Sequence, residues 1–204
     1  MNIIELVITE EDDFGVHAIS LVDKPAMEEH WLALSEHELK LQTEIADKQI
    51  LVGCAMVPKK PIYRKRGDEE LYVHFSQSTI ENIAHKFMKD YAQGQSTFMH
   101  EEELKGNVVV ESWIVHSEKD KAYSLGLNPP IGSWMIAMQV TSKSLWENEV
   151  KTGKIKGFSI EGNFADRMMV EHVSQLDEAL MSQKDQSVDE VLGKLYEDIK
   201  AIIK

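Results

Sequence analysis

Ile50 to Val57 is a continuous apolar run with small residues inside it, and Pro58 ends it. So short a run suits a strand buried on both faces better than a helix. A chain with such a strand needs other elements to cover both sides of it, and the flanking sequence supplies candidates. Ile3 to Ile8 and Val16 to Val22 are β-branched segments separated by an acidic turn, Glu10 to Asp13, and by Gly15. Leu39 to Ile45 alternates, and Leu71 to Phe75, Val108 to Val115, Trp134 to Val140 and Gly157 to Phe164 also read as strands. Asp23-Lys24-Pro25-Ala26 breaks the second segment, because a residue before proline avoids the helical region. Lys59 to Asp68 reads as a basic, proline-containing loop.

Helical spacing enters at Ser76 to Tyr91, where Ile80, Ile83, Ala84 and Phe87 recur on one face. Ser78 with Glu81 three residues on is the pattern of a capping box, and Gly94 closes the segment. Asp120 to Pro130 suits a helical turn followed by a loop, and Ser142 to Lys151 suits a short helix ended by Gly153. Beyond Asp166 the spacing becomes helical throughout, with Val173, Leu176 and Leu180, then Val188, Val191, Leu192, Leu195, Ile199 and Ile202. Strands dominate before that point and helices after it. The expectation is an α+β domain over residues 1–165 and a helical C-terminal extension over 166–204.

Charge narrows the function classes. A net charge of -13 argues against a nucleic-acid partner, which needs clustered Lys and Arg. No apolar run approaches the ~20 residues of a membrane span, so no membrane partner is expected. The start of the chain lacks the basic and apolar regions of a signal peptide. One cysteine cannot form an intramolecular disulfide, which fits a reducing compartment. The expectation is a cytoplasmic protein.

Serine hydrolysis needs a nucleophile, a base within reach and a group that orients the base. Ser159, in Gly157-Phe158-Ser159-Ile160-Glu161-Gly162, is a hydroxyl on a strand with glycines on either side, which suits close approach of a substrate backbone. It is equally the pattern of an ordinary strand serine beside a bulge. His100 opens His-Glu-Glu-Glu and is the candidate base, with His116 in reserve. Glu111 is a carboxylate inside the apolar run Val108 to Val115, costly there unless it is paired or faces outward on an edge strand. His100 with Glu101, Glu102 and Glu103 lacks metal-ligand spacing, so no metal is expected. Cys54 reads as a small core residue. No phosphate-binding loop or dinucleotide fingerprint is present, and no cofactor is expected.

Taken in order, six segments resemble the XkdF-like family of phage prohead serine proteases. They are GVHAISLVDKPAM (Gly15 to Met27), VGCAMVPKKPIYRK (Val52 to Lys65), VHFSQSTIENIAHKFM (Val73 to Met88), MHEEELKGNVVVESWIV with His100 and Glu111, GSWMIAMQV (Gly132 to Val140), and GKIKGFSIEGNF (Gly153 to Phe164). Cys54-Ala55 departs from the pattern, where a proline before the alanine is expected.

The resemblance implies the fold of herpesvirus maturation proteases, a β-barrel surrounded by helices. It implies a serine endopeptidase that cleaves scaffold and major capsid proteins within the assembling prohead, in the host cytoplasm. Ser159 takes the place of the family serine and His100 that of the family histidine. For the third member, a second histidine in the herpesvirus enzymes and an acid in the phage ones, Glu111 is the choice and Asp120 the runner-up. Arg167 is a candidate to help bind the oxyanion. The helical extension could dock in the prohead, bring protease chains together as a homo-oligomer, or pack on the domain. A non-catalytic core or scaffold protein that retains the protease fold is the alternative, and the acidic charge and helical tail suit it.

Overall fold

The computed structural model describes residues 3–9, 14–25, 31–32, 48–66 and 69–168. The expected strand at Leu39 to Ile45 and the expected tail helices lie outside the described residues. Met1–Ala165 forms one compact unit and Asp166–Lys204 a second.

The architecture is mixed α+β, with strands in the majority. The apolar run becomes β4 (Ile50–Met56), buried along almost all its length. It lies between the two-residue β3 (Trp31–Leu32) and β10 (Trp134–Gln139), and β10 pairs on its other edge with β9 (Val108–Ile114). Alternation along β4 sends its side chains into two cores. Leu51 and Ala55 join the larger one, with Ile19, Leu21, Phe87, Trp134 and Phe158, while Val52 and Cys54 join a smaller one with Met135, Ala137 and Leu127. The two-sided burial read from the sequence is what this strand has.

A second sheet carries β11 (Gly157–Asn163), β2 (Gly15–Val22), β7 (Ser96–Phe98) and β8 (Glu102–Glu103), in that order. In a third, β1 (Ile3–Val7), β6 (Glu69–Phe75) and β5 (Ile62–Arg66) lie side by side. The described strands therefore form three sheets and no closed barrel, which corrects the expected barrel. β8, at the end of the second sheet, spans two residues and pairs with β7 alone among the described residues, so no ladder runs on from it to another sheet.

Two local readings also change. The basic loop contains β5, antiparallel to β6, with Lys65 at the register position of Glu70 and Arg66 at that of Glu69. Its opposite charges were the available signal. Helix α1 (Gln77–Lys89) is capped by Ser76, not Ser78, and the Ser76 hydroxyl accepts from the Thr79 amide at 3.3 Å. Its buried face is the one the spacing predicts, and Phe87 meets Trp134 edge to face at 5.3 Å. A short α2 (Lys121–Ser124) follows, then α3 (Lys143–Leu145), which continues into a π-turn over Trp146–Val150.

Candidate active site

Ser159 lies on β11 directly opposite Ser20 of β2, and Ser20 lies opposite Thr97 of β7. The three hydroxyl residues form one row across the sheet, on one face. Glu161 is two residues beyond Ser159 and projects from that same face. Its Cα partner is Ala18, whose side chain is a single methyl. The Glu161 carboxylate reaches across β2, and its Oε1 accepts from the Thr97 hydroxyl on the far side.

His100 arrives at this row from a strained turn. β7 and β8 are joined by Met99-His100-Glu101, in which the Glu101 amide donates to the Phe98 carbonyl at 3.0 Å. Both central residues are left-handed, Met99 at φ 52° and His100 at φ 64°. Such a turn normally takes Asn-Gly, and side chains there cost roughly 1–2 kcal/mol per residue. Surrounding contacts hold it. The Met99 amide donates to the Leu21 carbonyl at 3.0 Å, and the His100 amide donates to the fully buried Ser20 hydroxyl at 3.0 Å. Strain kept at one histidine by neighbouring strands is characteristic of functional sites.

The imidazole then meets the carboxylate. His100 Nδ1 is 2.9 Å from Glu161 Oε1, with the histidine side chain 45% exposed and the glutamate 30%. An ionised carboxylate only accepts, so Nδ1 carries the proton. In a neutral imidazole Nε2 is then left as the acceptor. Ser159 and His100 share no hydrogen bond among the described residues. Their connection is through Ser20, the register partner of one and the backbone anchor of the other.

The acids chosen from the sequence are elsewhere. Glu111 sits on β9 with its side chain 54% exposed, and its Oε2 accepts from the Lys121 ammonium. That ammonium also lies 3.8 Å from the centre of the Trp113 ring, and partial burial lowers its pKa. The carboxylate in an apolar run is explained by this surface cluster, not by an imidazole. Asp120 caps α2, accepting from the Ala122 amide at 2.9 Å and from the Trp113 indole at 3.0 Å. Glu161, Thr97 and Ser20 were missed. The period of two along the serine strand was the signal for Glu161. Nothing local marked the other two, because β7 is three residues long and its partners come from distant segments.

The glycines around Ser159 lie against other parts of the chain. A Cβ at Gly157 would lie 2.5 Å from the Pro25 ring, and one at Gly162 would lie 2.1 Å from the Gly15 carbonyl oxygen. They make room for Pro25 and for the backbone of Gly15 in β2. At Gly162 the close approach accompanies a register shift after Glu161.

Cys54 is ruled out as a nucleophile by its setting. Burial pushes its thiol from 9.0 up to about 12, and Sγ donates to the Met56 carbonyl at 3.1 Å. No group of three or more metal-ligating side chains occurs among the described residues. No helix of the described residues is long and apolar enough to cross a membrane.

No curated protein and no solved structure matches the chain. A family model described as "Putative phage serine protease XkdF" matches residues 37–169, well over half of the chain. The match includes β4, His100 and Ser159, and begins after the Gly15 to Met27 segment that supplies Ser20. By this match, which takes in the serine, the histidine and the glutamate that holds it, the chain belongs to the phage serine protease XkdF family.

Proposed function

We propose that the chain is a serine endopeptidase in which Ser159 is the nucleophile, His100 the general base and then general acid, and Glu161 the residue that orients His100. The observation that carries this reading is the 2.9 Å contact between His100 Nδ1 and Glu161 Oε1, made beside Ser159 on the same strand face. It fixes the tautomer that leaves Nε2 ready to take a proton. The Ser159 oxygen attacks the scissile carbonyl, and His100 Nε2 receives the hydroxyl proton. Glu161 stabilises the imidazolium formed and remains ionised. His100 then protonates the leaving amine, and water releases the acyl group by the same relay. Peptide amides have to bind the oxyanion, as in other acyl-transfer sites.

Within a phage, the substrates proposed are scaffold and major capsid proteins, cleaved inside the assembling prohead. Family membership and the proposed Ser–His–Glu group support this, with the C-terminal extension as the proposed docking element. Co-expression with those substrates tests it. Mass spectrometry is expected to find capsid and scaffold fragments with the intact protein and only full-length chains with Ser159→Ala. Identical fragments in both would overturn the assignment. Uncut chains in both would instead favour the non-catalytic core protein.

A further inference from the structure

β2 lies between β11 and β7, so the strand that carries Ser159 and the hairpin that carries His100 are not hydrogen-bonded neighbours. Their backbones are joined through β2. On the face of the hydroxyl row β2 presents Ala18 and Ser20. The Ala18 methyl is low enough for the Glu161 side chain to cross. Ser20 is 0% exposed and stands between Ile19 and Leu21 of the larger core. A hydroxyl so deeply buried is costly without a partner. Its partner is the His100 amide, which donates to the Ser20 oxygen at 3.0 Å.

The direction in which the imidazole leaves the chain depends on φ of His100, and 64° is a conformation that a side chain disfavours. The contact with Glu161 is partly exposed, and ion pairs in that setting contribute little to holding a strained turn. The Met99 amide bond to the Leu21 carbonyl holds the residue before. At His100 itself the hold is the bond to Ser20, and a hydrogen bond is stronger where its acceptor is shielded from water.

We infer that Ser20 is a positioning residue of the proposed relay: its hydroxyl clamps the His100 amide, keeps that residue left-handed, and so keeps Nδ1 on Glu161. The inference rests on His100 being the base. Ser20 is fully buried, so it acts through His100 and does not touch substrate. It also lies outside residues 37–169, so the family match does not include it.

Ser20→Ala removes the acceptor and leaves a methyl of similar size. In that variant a small alkyl fluorophosphonate is expected to label Ser159 about 10²-fold more slowly, the order of loss that a small misplacement brings. Nitrogen-15 NMR of His100 reports the clamp whether or not Ser159 reacts. The neutral ring is expected to carry its proton on Nδ1 in the intact protein, and mostly on Nε2, as in free histidine, in Ser20→Ala. A packing role would lower the melting temperature alone, so a tautomer unchanged by the substitution would overturn the inference whatever the labelling rate. A changed tautomer with slowed labelling supports it. A changed tautomer with labelling at full rate keeps the clamp but removes His100 from the reaction, and it is then the relay that falls. Absence of label on Ser159 in the intact protein also counts against the relay alone, and the tautomer still decides on Ser20. If Ser20→Ala does not fold, hydrogen exchange in the intact protein decides. The His100 amide is expected to be strongly protected despite its place in a hairpin turn, and exchange at the rate of an open amide would overturn the clamp.

Discussion

Glu161 Oε1 takes two donors, the His100 imidazole and the Thr97 hydroxyl, from two positions on one hairpin. Two donors on one oxygen hold the carboxylate against the imidazole. In the proposed relay Thr97 is therefore a positioning residue. Thr97→Val is expected to lower kcat several-fold with KM little changed, and Thr97→Ser to restore most of it. Equal losses in both variants would point to packing instead. Cys54 gives a second expectation at this scale. Its folded-state pKa is raised, so its contribution to stability is whole below the ordinary thiol value of 9.0 and is lost as pH rises through about 12. Iodoacetamide at pH 8 should leave the native thiol unmodified and alkylate it in denaturant. Rapid alkylation of the native protein would contradict the buried setting.

At the scale of elements, the site is a row across β11, β2 and β7, and its precision depends on how closely these strands approach. Gly162 lets β11 bulge against the Gly15 carbonyl just after Glu161. Gly162→Ala puts a methyl into that backbone and is expected to cost about 1–3 kcal/mol, the usual range for overpacking. It should also misplace Glu161, so that kcat falls together with the melting temperature. An unchanged melting temperature would contradict the close contact. Ser76→Ala removes the cap of α1 and should cost about 1 kcal/mol without touching kcat, separating loss of stability from loss of the site.

The longer strands and α1 were legible in the sequence because period and burial are local properties, as β4 and the buried face of α1 show. Ser159 and His100 were singled out by residue type and by family resemblance. The carboxylate that meets His100 was not legible. Glu111 stands out only because its neighbours are apolar, and its Lys121 partner comes from the following turn. Glu161 looked unremarkable because its significance depends on β7, a strand too short to signal itself. Pairing of β2 with β7 and β11 joins three distant stretches of chain, and no local pattern encodes that.

For the unit Met1–Ala165, two cores on either side of the β3-β4-β10-β9 sheet give a packed body, and Phe158 of β11 belongs to the larger core. Ser159 and Glu161 are half-buried and the His100 side chain is 45% exposed, so the proposed relay lies at the surface of that body, open to a polypeptide. The central claim is that Ser159, His100 and Glu161 form one catalytic unit and that Glu111 is outside it. Fluorophosphonate labelling with peptide mapping tests it most directly, run on the intact protein, His100→Ala, Glu161→Gln and Glu111→Gln, all checked for folding. Label is expected on Ser159 in the intact protein and at an unchanged rate in Glu111→Gln. Loss of a base or its orienting acid typically costs about 10³-fold or more, so His100→Ala and Glu161→Gln should be labelled more slowly by that order. Full-rate labelling of Glu161→Gln, or a loss confined to Glu111→Gln, would contradict the account.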